Sequence, residues 1–249
     1  MWSPDEMAEM LTEFKPRFIH HPSSLAHVHA IVTALGADPE VTHVEVPKLR
    51  TSFPVGHLTT GIAKAFQVHR DTWYAAPPMQ INWWLPIYEV DETNAMEFFP
   101  KRWGTQVPNN SGDLNYYEFN SFRGRIRDFN SSDTRPHPAP LEPLPADEEH
   151  LVVLPPVGGV VVFAADQLHA SIVNTSGVGR FSIDFRVVNA IDARDGVGAP
   201  LPDSRCLGTA MRDFRSVASG AGIADEVVQR YDTPGAIDAG VAVFDWPKQ

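Results

Sequence analysis

The stretch Arg180 to Val188 alternates without a break, with Phe181, Ile183, Phe185 and Val187 on one side and Arg180, Ser182, Asp184 and Arg186 on the other. Successive side chains of a strand point to opposite faces, so this pattern predicts a strand with one apolar and one polar face. Hydrogen-bonding side chains are costly against a dry core. They suit a sheet whose inner side lines a wet cavity, as in a sandwich or an open barrel that holds a ligand. The chain must therefore build a sheet, cover its apolar side and leave its polar side facing a space.

The rest of the sequence supplies the parts. Ser3-Pro4-Asp5-Glu6 predicts a helix start, with Ser3 as cap and Glu6 closing a capping box, and Pro16 predicts its end. A second helix is expected from Ser23 or Ser24, with Leu25, Val28, Val32 and Leu35 at helical spacing and Gly36 as the stop. From Val41 to Val188 the pattern is one of short strands, the clearest being 62–71, 80–90 and 180–188. Five prolines between residues 131 and 149 predict an irregular insertion. The tail after Asn189 reads as loop, then a helix over about 212–231 on the outside. These elements give one expected domain over 1–249: a core of about 41–190, a helical flank over 1–36 and another flank over 190–249.

Composition removes several function classes. Lys plus Arg total 20 against 31 Asp plus Glu, a net charge of -11, which disfavours nucleic-acid backbones and anionic membranes as partners. Cys206 is the single cysteine, so a disulfide framework and a cysteine-based zinc site are excluded. The longest apolar run, Leu151 to Ala165, is broken by Pro155-Pro156 and Gly158-Gly159 and is too short to span a bilayer as one helix. The acidic opening Met1 to Glu6 lacks the apolar run of a secretory leader. With the lone cysteine, this gives the expectation of a cytoplasmic protein acting on a small molecule. The sequence sets no oligomeric state.

Of ten histidines, His69 stands out because Asp71 follows two residues later on an expected strand. Both side chains then point to one side, and an imidazole with a carboxylate begins a two-histidine, one-carboxylate metal site. The third ligand must come from a distant strand. His169 follows the apolar run Val160 to Ala164, and Arg180 lies eleven residues beyond it on the polar face described above. A guanidinium there suits the far carboxylate of a dicarboxylic acid. Two other readings stay open: a cupin-type metalloenzyme that needs no dicarboxylate, and a jelly roll that binds a small ligand without catalysis. The first would be favoured by a His-x-His pair in a strand, and His27/His29 falls on an expected helix.

His69, Asp71, His169, Ser171 and Arg180, with the run HASIVNTSGVGRFSIDFRVV, resemble the iron(II)- and 2-oxoglutarate-dependent oxygenases of the phytanoyl-CoA dioxygenase-like group over about residues 60–190. The resemblance implies a mainly β fold with flanking helices, built on a double-stranded β-helix (jelly-roll, cupin-like) core. It implies iron(II) on His69, Asp71 and His169, with 2-oxoglutarate and dioxygen as cosubstrates. Arg180 would hold the distal carboxylate, aided by Ser171 or Ser182, and Phe66 matches an aromatic position beside it. The implied reaction hydroxylates or otherwise oxidises a small polar metabolite and releases succinate and CO2. Asp71 stands where related halogenases carry a small residue, which implies hydroxylation rather than halogenation. The Trp83-Trp84 strand, the turn Asp91 to Asn94 and Pro100 match further family positions, but Lys101-Arg102-Trp103 replaces Gly-Ser-His and Ala95 stands near a usual Gly, leaving the substrate class open. Candidate substrate contacts are Arg186, Asn82, Trp84, Trp73 and Trp103. Arg186 also reads as a buried partner of Asp184, and the stripe Arg123, Arg125, Arg127 as an anion grip or a solvated face.

Overall fold

The computed structural model describes residues 4–54, 67–121 and 137–239. Helix α1 spans Pro4–Ile19 and α2 spans Pro22–Ala34. The strands are β1 (Thr42–Val44), β2 (Lys48–Ser52), β3 (Ile81–Pro86) and β4 (Met96–Phe98). After α3 (Tyr116–Ser121) come β5 (Leu151–Val153), β6 (Val161–Ala164), β7 (His169–Ser171) and β8 (Arg180–Asn189). Helix α4 (Ala190–Asp195), β9 (Arg215–Ser216) and α5 (Asp225–Val228) complete the order.

The strands form two sheets. The larger has the order β6-β3-β8-β1-β9, with β2 also paired to β8, and the smaller has the order β5-β4-β7. Strand β8 is the spine. Antiparallel β3 lies along one edge, from Ile81 opposite Val187 to Pro86 opposite Ser182. The other edge is shared by β1 and β2, which pair with Val187–Asn189 and Arg180–Asp184 respectively.

The two faces of β8 separate as the alternation requires. Phe185 and Val187 pack with Trp83 and Val44 under Val28 and Val32 of α2, and Phe181 packs with Phe53 under Leu11 of α1. On the opposite face, Trp84, Val161 and Phe163 meet Met96, Phe98 and Val153 of the smaller sheet. The polar side chains of β8 point into the same space between the sheets. Among the described residues, no helix is long and apolar enough to cross a membrane.

Local signals explain the helix ends. The Nδ1 of His21 accepts from Ser23 N at 3.2 Å and caps α2, with Pro22 in its first turn. Gly36, at φ +93°, turns the chain so that Ala37 N donates to Val32 O and Gly36 N to Thr33 O. The expected stop at Pro16 is corrected: α1 runs through it to Ile19, and His20 N donates to the Pro16 carbonyl. Proline lacks the N–H that would donate to the carbonyl one turn back, but its own carbonyl can still accept.

The expected 212–231 helix is also corrected. Arg215–Ser216 instead pairs with His43 and Val44 and extends the larger sheet, and Ser216 N closes a turn onto Ala221 O. Gly220 (φ +72°) and Gly222 interrupt any helix there. The tail is not a peripheral cover. Met211, Phe214, Val227 and Val228 form a core cluster with Leu114, Tyr116 and Tyr117. Residues 137–150 are irregular, as expected for a Pro-rich segment, and are tied down by Asn110, which accepts from Ala139 N at 2.7 Å.

Candidate metal centre

His69 and His169 face each other as an antiparallel bridge, exchanging His69 N→His169 O and His169 N→His69 O bonds of 2.9 and 3.0 Å. The bridge sets their ring centroids 4.3 Å apart. Asp71 is placed by two local features. Arg70 is extended (φ -112°, ψ 143°), which returns residue 71 to the side of residue 69. Asp71 then opens a 3-10 helix, Asp71–Tyr74, and its N–H donates to Ala165 O at 2.9 Å. Among the described residues, a single bridge and a helix start place both side chains; residues 62–66 of the expected 62–71 strand lie outside the described residues.

The ligand atoms of His69, Asp71 and His169 all lie within 4.8 Å of one another, and all three residues are buried. Asp71 Oδ1 is 3.3 Å from His69 Nε2. The tautomers follow from the other ring nitrogens. His69 Nδ1 is 2.7 Å from the Gln67 carbonyl and His169 Nδ1 is 2.9 Å from the Gln167 carbonyl. A carbonyl can only accept, so each Nδ1 carries a hydrogen, and Nε2 is the ring nitrogen left to face a metal. Burial, then the nearby His69, pushes the His169 imidazole down to about 4, so it is neutral at pH 7. Burial alone would raise Asp71, but the Arg186 guanidinium holds its carboxyl well below the usual range. Two imidazole nitrogens and one carboxylate oxygen are a donor set that suits non-haem iron(II).

Arg70 points away from this cluster. Fully buried, it pairs with Asp166 at 2.9 Å and Asp203 at 3.3 Å, and donates to the carbonyls of Arg102 and Thr105 at 2.7 and 2.8 Å. Burial pushes the Asp166 carboxyl up to about 6, against the pull of Arg70. Asp203 also accepts from Trp73 Nε1 at 2.7 Å and Val107 N at 2.9 Å. This anchor behind the cluster escaped the sequence reading. Its only local trace is Asp166, three residues before His169.

The inner face of β8 holds two arginines in opposite states. Arg186 is committed: Nη1 lies 2.6 Å from Glu45, Nη2 3.1 Å from Asp184, and Nε 3.5 Å from Asp71. Arg180 is only 5% exposed, yet among the described residues its nearest acceptors, Ala95 O and Ser171 Oγ, are both 3.5 Å away, and its Nε has no partner. Its guanidinium carbon lies 5.6 Å from the centroid of the Trp84 ring. Burial pushes Arg180 down to about 10. Ser182 Oγ and Asn82 Nδ2, buried on the same face, likewise have no partner among the described residues.

The remaining candidates are placed as follows. Ser171 sits two residues past His169 on β7, beside Arg180. Asn82 is the cross-strand neighbour of Arg186, and its Oδ1 accepts from Gln80 at 2.9 Å. Trp73 belongs to a core cluster with Phe99, Val107 and Leu168, and Trp103 is 43% exposed at the end of a surface turn. Phe66 and the Arg123, Arg125, Arg127 stripe lie outside the described residues.

No family model and no curated protein matches this chain. Solved structures with a similar fold include EvdO2 from Micromonospora carbonacea var. aurantiaca complexed with 2-oxoglutarate (16% identity, TM-score 0.43, covering 70% of this chain and 62% of that one). The non-heme monooxygenase ThoJ is similar at 16% identity and TM-score 0.40, covering 87% of this chain and 75% of that one. The non-heme alpha ketoglutarate dependent carbocyclase SnoK from nogalamycin biosynthesis is similar at 15% identity and TM-score 0.38, over 71% and 66%. This chain thus spans less than two thirds of EvdO2.

Proposed function

We propose that the protein is an iron(II)- and 2-oxoglutarate-dependent oxygenase with a jelly-roll core, acting on a small polar molecule. One observation carries the reading: a buried arginine without a good partner among the described residues stands on the sheet face next to a two-histidine, one-carboxylate cluster. A buried cation is costly unless paired, and a ligand carboxylate at Arg180 would pair it. His169 and Ser171 are two residues apart on β7, and Ser171 faces Arg180, so the metal ligand and the carboxylate clamp are about 7 Å apart along one strand. That separation suits a short dicarboxylate held at both ends.

His69, Asp71 and His169 would hold the metal, leaving positions for the 2-oxo acid end and for dioxygen. Iron(II) there would supply the coupling of 2-oxoglutarate decarboxylation to oxidation of a second substrate, with succinate and CO2 released. Arg180 binds the distal carboxylate, Ser171 and Ser182 offer hydroxyl donors, and Trp84 backs the guanidinium. The opposed sheets keep bulk water from the cluster. Asp71 supplies a carboxylate where a halide would otherwise need room, so hydroxylation or a related oxidation is the expected outcome. The test is succinate formation from 2-oxoglutarate under iron(II), ascorbate and oxygen. Wild-type protein should form it, even uncoupled from a substrate, and His169→Ala should not. Equal succinate from both would overturn the reading.

A further inference from the structure

We infer that Gln80 and Arg186 clamp one oxygen of Asp71, Oδ2, so that Oδ1 alone is presented to the metal. The inference rests on the metal-site reading above. The two oxygens of Asp71 have different surroundings. Oδ1 lies 3.3 Å from His69 Nε2, while Oδ2 lies 3.4 Å from Gln80 Nε2 and 3.5 Å from Arg186 Nε. The two donors come from neighbouring strands of one sheet. Gln80 immediately precedes β3, and Arg186 on β8 is opposite Asn82.

Neither donor is positioned by Asp71 alone. Arg186 has its other two nitrogens on Glu45 and Asp184, at 2.6 and 3.1 Å. Glu45 is held in turn by Lys48 at 2.7 Å, and Asp184 by Arg50 at 2.9 Å. Gln80 Nε2 also donates to Asn82 Oδ1 at 2.9 Å. The direction of that chain is forced. An ionised carboxylate only accepts, so Gln80 must turn its NH2 to Asp71, and Asn82 must then turn its oxygen to Gln80.

The chemical consequence concerns how many metal positions Asp71 takes. A carboxylate free to rotate can offer both oxygens to a metal. One whose second oxygen is tied to a guanidinium and an amide offers one, which keeps the opposite face of the metal open. Gln80 and Arg186 are positioning residues: they touch Asp71, not the reacting atoms.

Cobalt(II) binding to the full chain tests this, read by calorimetry and by visible absorption. Gln80→Leu removes the amide without changing charge. The double variant Glu45→Gln/Arg186→Gln removes the guanidinium without leaving Glu45 buried and unpaired, at constant net charge. Each should weaken cobalt(II) binding about 10- to 100-fold, the range for groups that orient a metal ligand. Each should also change the visible band pattern, and the metal-free unfolding midpoint of Gln80→Leu, lowered by the loss of its bond to Asn82, separates that loss of stability from the change at the metal. Wild-type affinity and bands in Gln80→Leu would overturn the role of Gln80, and the same result in the double variant would overturn that of Arg186. Asp71→Ala separates the two levels. If wild type binds no cobalt(II), or if binding survives Asp71→Ala, the metal centre itself is at fault rather than the clamp.

Discussion

Arg180→Met should leave the ligand-free protein as stable as wild type or more so, while removing its response to 2-oxoglutarate. Burial takes the Arg180 guanidinium from 12.5 to about 10. At roughly 1.4 kcal/mol per pKa unit, holding that charge in place costs on the order of 3 kcal/mol. The folded value lies below the unfolded one, so the penalty is fully present at every pH below about 10 and fades only above it. Two contacts at 3.5 Å and the Trp84 ring at 5.6 Å return part of it. A cation on an aromatic face is worth roughly 0.5–2 kcal/mol. Methionine keeps the stem and drops the charge, so a gain of about 0–2 kcal/mol is expected in urea unfolding. With metal bound, 2-oxoglutarate at a hundred times its Kd should stabilise wild type by about 2.7 kcal/mol. Losing a charged partner typically costs about 2–5 kcal/mol of binding, so the same concentration should stabilise Arg180→Met by less than about 1 kcal/mol. A ligand-free loss above about 2 kcal/mol would show Arg180 to be a structural residue. An undiminished 2-oxoglutarate response would remove it from the binding site.

The other predictions address separate parts of the molecule. His69→Ala and His169→Ala should each abolish cobalt(II) or iron(II) binding at micromolar metal in anaerobic titration, because each removes one of three ligands. Trp73→Phe deletes the 2.7 Å bond to Asp203 and should cost roughly 1–3 kcal/mol of stability with metal affinity unchanged, as measured by denaturant unfolding and metal titration. Gly179→Ala should cost about 1–3 kcal/mol, because its new methyl would sit 2.7 Å from Phe53 Cε1, and Phe53→Leu in the same chain should recover part of that loss.

What was legible in the sequence is what is local. The alternation of β8 predicts its two faces because period 2 is a property of the strand itself. His69 and Asp71 share a side because Arg70 is extended, so their spacing is readable from the sequence. Glu45 and Arg50 were not legible as parts of the site. Their partners Arg186 and Asp184 lie 141 and 134 positions away, and only the sheet register brings them together. The tail shows the limit of composition. Arg215–Ser216 is two residues long, and its strand character comes from pairing with β1 rather than from its own propensity.

Arg180 and Arg186 make the same point at the site itself. They are the same residue type on the same face of the same strand, and by sequence either suits a ligand anion. The difference comes entirely from what other strands bring beside them. Glu45, Asp184 and Asp71 surround Arg186 and consume its three nitrogens, which turns it into support for Asp71. Arg180 receives a serine hydroxyl, a carbonyl and an indole face, none of which neutralises it. A buried charge left in that state disfavours the ligand-free fold. The same desolvation strengthens its attraction for an incoming carboxylate, because little water competes for the guanidinium. The register of the neighbouring strands thus divides a single polar face into an end where a guanidinium meets three carboxylates and an end where, among the described residues, one is left without a close acceptor.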